Sequence, residues 1–252
     1  MSIIVRSVAF NLAFYLVLFV YLIVALPTLA MPRHVLVALV KNWARLNFWL
    51  LRVICGLHYE IEGRAKIPHG AVLVASKHQS LWETFALMTV FEDPAYILKR
   101  ELIWIPFFGW CAWKSRMIPV DRGARSQALA AMTRLARVET GRGRQLIIFP
   151  EGTRRAPGAE PKYKFGVVHL YAELGIPCVP VALNSGLFWP RRSFMRYPGT
   201  IRVKILDPIA PGLDKQVFFE RVQSTVESAT AKLVEAGRAE LARAKVRQKA
   251  RS

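Results

Sequence analysis

Two short stretches, about seventy residues apart, supply the side chains that chemistry needs. Ser76-Lys77-His78-Gln79-Ser80-Leu81-Trp82-Glu83 follows the apolar run Ala71 to Ala75 and holds a histidine with a carboxylate five positions on. Ile147-Ile148-Phe149-Pro150-Glu151-Gly152-Thr153-Arg154 is a second apolar run, ending in a turn that carries a carboxylate, a hydroxyl and a guanidinium. The first stretch offers a base and the second an anion clamp. The combination suits activation of a hydroxyl on a phosphate-bearing molecule.

Spacing restricts how these groups can meet. On one regular helix His78 and Glu83 would be rotated by about 140° and would not share a face. They meet only if His78 lies in the loop before the helix and its ring folds back to the first turn. A carboxylate on one ring nitrogen would then fix the tautomer, leaving the other nitrogen to take a proton. In the second stretch Pro150 stiffens the strand exit and Gly152 permits backbone angles closed to other residues. Arg154 can grip a phosphate through paired hydrogen bonds, with backbone N–H groups as further donors. Lys99, Arg122 and Lys164 are additional cations near segment ends.

The elements that must position these groups alternate. Strands are expected at His58–Gly63, Ala71–Ala75, Ala95–Leu98, Gln145–Phe149, Cys178–Leu183 and Ile201–Leu206. Helices are expected at Trp82–Phe91, Ser126–Glu139 and Gly166–Leu174. The continuous apolar runs are those of buried parallel strands, so the fold class is α/β, with a mainly parallel central sheet flanked by helices. Sites in such sheets collect in loops beyond the strand ends, where His78 and Glu151 both fall.

The ends of the chain differ from this middle. A net charge of +19 accompanies 53% hydrophobic residues and a mean hydropathy of +0.25, a pairing that fits a protein pressed against anionic lipid. Between Arg6 and Arg33 there is no charged residue, a run longer than the roughly 20 needed to cross a bilayer. A membrane helix explains this run; a signal peptide is the alternative. His34, Lys41, Arg45 and Arg52 follow at spacings of 7, 4 and 7, which align them in one stripe of a helix over Val35–Leu57. Two readings stand for that helix: it lies in the headgroup plane, or it is a core helix with a basic stripe toward water. Three domains result: a two-helix membrane anchor over 1–57, an α/β domain over 58–214 and a basic helical tail over 215–252. The end of the tail is either a frayed, solvated helix or an added contact with anionic lipid. Cys55, Cys111 and Cys178 are far apart and form neither a zinc site nor a disulfide framework.

Taken together, the motifs resemble those of the lysophosphatidic-acid acyltransferase family, the 1-acylglycerol-3-phosphate O-acyltransferases. The His-x4-Asp block has its counterpart in His78 and Glu83. The block Lys-x-Glu-Leu-x3-Pro-x2-Gly corresponds to Lys99, Glu101, Leu102, Pro106 and Gly109, followed by Val120-Asp121-Arg122. Phe149 to Arg154 match Phe-Pro-Glu-Gly-Thr-Arg without change, and Val179-Pro180-Val181 is the fourth block. The departure is Glu83, which stands where the family has Asp and lengthens the arm by one methylene.

The resemblance implies transfer of an acyl chain from an acyl-carrier-protein or coenzyme A thioester to the sn-2 hydroxyl of lysophosphatidic acid, giving phosphatidic acid. His78 would be the general base and Glu83 its orienting partner. Lys99, Arg122, Glu151, Gly152, Thr153 and Arg154 would bind the phosphate and glycerol, with Glu151 orienting either Arg154 or the glycerol. No metal or cofactor is implied. The site would face the cytoplasm from the inner membrane. Trp104, Phe107, Phe108, Trp110 and Trp113 are candidates for an acyl channel or, equally, for ordinary core packing. Rival readings are acylation of glycerol-3-phosphate or of an amino-acid-containing lysolipid, and a non-catalytic membrane scaffold. Nucleic acid is not an expected partner, since charge is the only feature that suggests it.

Overall fold

The computed structural model describes residues 2–121 and 125–249. Two helices come first. Helix α1, Ile3–Thr28, is capped by the Ser2 hydroxyl, which accepts the Val5 N–H. Helix α2, Arg33–Leu50, runs on into a π-helical turn at Leu51–Cys55, and Gly56 closes it with a left-handed backbone.

Seven strands follow in chain order: β1 Leu57–Glu62, β2 Leu73–Ser76, β3 Pro94–Lys99, β4 Ile118–Val120, β5 Gln145–Ile148, β6 Cys178–Leu183 and β7 Gly199–Ile205. They form one sheet in the order β1-β7-β6-β2-β5-β3-β4. Its pairs are parallel except β6 with β7, so the two strands at the β1 edge run against the other five. Helices α3 Trp82–Val90, α4 Phe108–Lys114, α5 Arg125–Thr140, α6 Gly166–Leu174, α7 Ser185–Phe188 and α8 Lys215–Lys249 complete the described chain.

The strand pleat sorts the core into two layers. Val74 and Ile147 point to the side covered by Phe10 and Phe14 of α1, Phe48 of α2 and Phe85 of α3. Leu73, Ala75, Leu146 and Ile148 point to the other side, covered by Met132 of α5, Val168 of α6 and Phe218 of α8. The result is the expected mainly parallel α/β sheet, flanked on both faces. Helices α1 and α2 contribute Phe10, Phe14 and Phe48 to the first of these layers, and α8 contributes Phe218 and Val222 to the second. Helix α8 buries Phe218, Val222, Val226, Thr230 and Val234, a stripe at four-residue spacing. Glu240 farther along it accepts from Arg202 of β7 at 2.7 Å.

Helix α1 is apolar all round, yet only one side of it touches protein. Phe10 packs edge-on against Trp189, and Asn11 Nδ2 donates to the Phe194 carbonyl at 2.7 Å. The opposite side, with Leu12, Leu16, Phe19 and Ile23, is exposed. On α2, Leu36, Val37, Ala44 and Phe48 are buried, while His34, Arg45 and Arg52 are exposed. Lys41 leaves the basic stripe for a structural task. Its ammonium donates to the carbonyls of Phe91 (3.0 Å) and Glu92 (2.6 Å), just past the C-terminal end of α3, where cations are favoured.

Arg144 ties the far corner of the sheet together. It is 1% exposed and donates to Glu139 at 2.6 Å and to the carbonyls of Pro94, Ser115 and Arg116, with Asp93 at 3.3 Å. Removing it leaves Glu139 and three carbonyls short of a donor. Replacement of a buried pair member typically costs about 3–5 kcal/mol. Arg144→Met is expected to lower unfolding free energy by about that amount in denaturant titration.

Candidate active site

The β2 exit determines the site. After Ser76 the chain leaves the sheet, and five residues later α3 begins, with Glu83 in its first turn. Glu83 is fully buried, and its side chain turns back over the preceding loop. Oε1 accepts from Gln79 N at 2.7 Å and Ser80 N at 2.6 Å, and lies 2.9 Å from Nδ1 of His78. Oε2 accepts from the Ser185 hydroxyl of α7 at 2.7 Å. A carboxylate can only accept, so the His78 contact requires the proton on Nδ1. Nε2 keeps its lone pair, with no hydrogen-bond partner among the described residues. The imidazole lies flat on Phe149, 4.0 Å between centroids and 18° between planes. The histidine thus sits in the loop ahead of the helix, as the five-residue spacing requires, and the longer Glu83 arm reaches it.

β5 is the hydrogen-bonded neighbour of β2, so the second motif emerges beside the first. The two loops are stitched by their backbones. Arg155 N donates to the His78 carbonyl at 2.8 Å, and the His78 N–H meets Glu151 Oε2 at 3.4 Å. Gly152 has φ +64, a left-handed backbone that suits glycine.

Glu151 is buried and paired with neither Arg154 nor open space. Its Oε1 accepts from Lys77 at 2.9 Å, and Lys77 also donates to Glu227 of α8 at 2.8 Å. Burial raises the pKa of Glu151, and Lys77 opposes that rise. The sequence reading passed over Lys77 and Glu227. The available signal was a lysine at the exit of an apolar strand, matched by an acid at the exit of another.

A cavity of about 760 Å³ opens at His78. It runs between α1, α2, α3, α4 and α5 and is walled by side chains such as Leu22, Leu39, Met88 and Met132. At the His78 end it is bordered by Lys99, Gly152 and Lys164. Lys99 is half exposed and pairs with Glu101 at 2.7 Å. Arg154 is partly buried and lies one residue from the stitch to His78; its carbonyl accepts from Arg191, and its side chain is not part of the cavity wall. Thr153 is exposed, and Arg122 lies outside the described residues. Of the acyl-channel candidates, Phe108 borders the cavity, whereas Trp104, Phe107 and Trp110 do not. Nor are these aromatics core: Trp104 is 74% and Trp113 76% exposed. For Trp110 and Trp113 on α4, the reason lies at Gly109, where a Cβ would collide with the Ile103 carbonyl. The inner side of α4 is pressed onto backbone there, so its bulky residues turn outward.

Comparison with known proteins gives the family and the fold. The family model described as Acyltransferase matches residues 58–184. The chain belongs to the acyltransferase family. It is 41% identical over 166 residues to the 1-acyl-sn-glycerol-3-phosphate acyltransferase of Pseudomonas aeruginosa, an alignment covering 66% of this chain and 65% of that protein. It is 29% identical over 208 residues to 1-acyl-sn-glycerol-3-phosphate acyltransferase alpha of Mus musculus, covering 80% of this chain and 72% of that protein. The chain therefore matches just under two thirds of the length of the bacterial relative. In fold it is similar to the crystal structure of the 1-acyl-sn-glycerophosphate (LPA) acyltransferase PlsC from Thermotoga maritima. The TM-score is 0.77 at 21% identity, over 92% of this chain and 98% of the other.

Ser185 supplies the donor to Glu83 Oε2, and no other is present there among the described residues. Ser185→Ala is expected to lower stability by about 1.5–3 kcal/mol, the usual worth of a hydrogen bond to a buried charged group. Differential scanning calorimetry on the detergent-solubilised protein would measure it.

Proposed function

We propose that this acyltransferase moves an acyl chain from a thioester to the free sn-2 hydroxyl of lysophosphatidic acid, forming phosphatidic acid. The observation that carries this reading is His78: one ring nitrogen is held by a buried carboxylate, and the other is open at a long apolar cavity bordered by two lysines. Nε2 takes the hydroxyl proton as the oxygen attacks the thioester carbonyl. The C–O bond forms, the C–S bond breaks, and the departing thiolate recovers the proton from the imidazolium. Lys99 and Lys164 at the cavity, with Arg154 beside it, hold the phosphate, so that binding there positions the hydroxyl. Arg122 follows directly on Asp121, another residue of the cavity wall, and is a further candidate for this role. Gly152 and Thr153 offer backbone and hydroxyl contacts to the glycerol.

A direct transfer fits the surroundings. Cys111 borders the cavity, but burial raises the pKa of its thiol and keeps it protonated, a poor nucleophile. A thiolate leaves readily, so the scheme uses neither an acyl-enzyme nor a metal. The acyl-chain length would be read by the cavity, with Phe108 in its wall.

Membrane attachment is part of this reading, and α1 supports it. Its 26 residues are long enough to cross a bilayer. One side of it, however, meets the α/β domain at Ser7, Phe10, Asn11 and Phe14 and meets α2 farther along, where Tyr21 donates to Asn42, and the α/β domain carries charged surface that belongs in water. A helix so attached lies along the membrane with its outer side among the lipid chains, and α2 lies beside it. The site would then face the cytoplasm at the inner membrane, where acyl-carrier-protein or coenzyme A thioesters are available.

The deciding assay supplies purified protein with either thioester and with lysophosphatidic acid, glycerol-3-phosphate or an amino-acid-containing lysolipid. Phosphatidic acid should be the main product, and His78→Ala and Glu83→Gln should each lower kcat by about 10²–10⁴. Preference for either other acceptor would replace the proposed substrate. A covalent acyl adduct in a single turnover would overturn direct transfer. Phe108→Ala should raise kcat/KM for longer acyl chains relative to shorter ones by roughly tenfold, and an unchanged product profile would remove Phe108 from the channel.

A further inference from the structure

Behind His78, on the side away from the cavity, lies a buried charge cluster that the transfer scheme does not use. Lys77 directly follows β2, and its side chain is 3% exposed. An ammonium has three hydrogens, and three carboxylate oxygens lie within reach of this one. They are Glu151 Oε1 at 2.9 Å, Glu227 Oε1 at 2.8 Å and Glu227 Oε2 at 3.0 Å. The Tyr163 hydroxyl donates to Glu227 Oε1 at 2.9 Å. Lys77 has no donor left for a substrate, and its surroundings leave no path to one.

The cluster does connect elements that must stay in register. Glu227 belongs to α8, outside the residues that the family model covers. It holds Lys77, which holds Glu151, whose second oxygen faces the His78 N–H. The same pairing occupies Glu151 and so keeps it away from Arg154, three residues on.

We propose that Lys77 and Glu227 are positioning residues. Through them, α8 braces the His78 loop against the loop that carries Glu151. This inference rests on the proposed acyl transfer for its kinetic consequence, but not for its structural one. Glu227 is the residue to change, because it is partly accessible and its loss leaves the fold's apolar stripe intact.

The test compares Glu227→Ala, Glu227→Gln and, as a packing control on the same helix, Val222→Ala. Each is measured by steady-state kinetics on lysophosphatidic acid and by amide hydrogen exchange. Glu227→Ala should lower kcat about 10- to 100-fold, as misplacement of catalytic groups by about 1 Å does, with KM for the thioester within twofold. Glu227→Gln keeps an acceptor for Lys77 and should recover most of that loss. Val222→Ala should lower the melting temperature and leave kcat within about twofold, its packing being remote from the loops. Exchange at 77–80 and 151–155 should speed up about tenfold or more in Glu227→Ala and stay unchanged in Val222→Ala. Equal behaviour of Glu227→Ala and Val222→Ala in both measurements would reduce α8 to a packing element and overturn the brace. If the unmodified protein does not acylate lysophosphatidic acid, the proposed function falls, and the exchange comparison alone decides the brace.

Discussion

A carboxylate shut away from water must find its hydrogen bonds inside the fold, and Glu83 finds four. Two come from the backbone of the loop it overhangs, one from His78 and one from Ser185 on α7. An ionised group left unpaired at that depth would cost several kcal/mol, so the loop cannot relax into another shape without losing the pairing. The constraint reaches outward from there. It sets the ring orientation of His78, and it fixes the distance between the β2 exit and the start of α3. Through Ser185 it also ties the loop to the segment after β6. The neighbouring strand β5 then delivers Glu151 and Gly152 to the same place. Seventy residues of sequence separation vanish because β2 and β5 are paired.

The apolar half of the site obeys a different rule. Its walls come from helices that have one side on the sheet and another with no protein over it. Helix α1 buries Phe10 and Phe14 while exposing Leu12 and Phe19, and α4 exposes Trp110 and Trp113. In water such surfaces would drive association. Beside lipid, as proposed above, they would carry no such penalty. Aromatic side chains with a polar N–H are favoured at a bilayer boundary.

Much of this was legible in the sequence, and the pattern of success has a physical basis. α6 and β6 were read to the residue because their ends are marked by Gly166, Gly175 and Pro177, and because a strand buried on both sides has an unbroken apolar run. The His78–Glu83 contact was legible because its five-residue spacing admits only one local arrangement. α4 and β4 were not legible. A seven-residue helix rich in tryptophan, opening at Phe107 with φ +62, has no periodicity long enough to detect. The same brevity misassigned the aromatics, since the direction of those on α4 depended on the close contact at Gly109. Lys77 and Glu227 are 150 residues apart, and only the placement of α8 across the sheet brings them together. Glu151 was expected to serve Arg154 or the glycerol because its true partner belongs to a distant element.

Separating the charges appears as the organising logic of the site. Glu83 and the Glu151–Lys77–Glu227 cluster stand behind the imidazole, and on formal charges these groups sum to −2. Lys99 and Lys164 border the cavity in front. Positive charge in front of the ring favours a phosphate. Mixing the two sets would defeat this. Lys77 opposes this mixing by occupying Glu151. A buried lysine outside the cavity wall thereby keeps an acidic side chain with the acidic set.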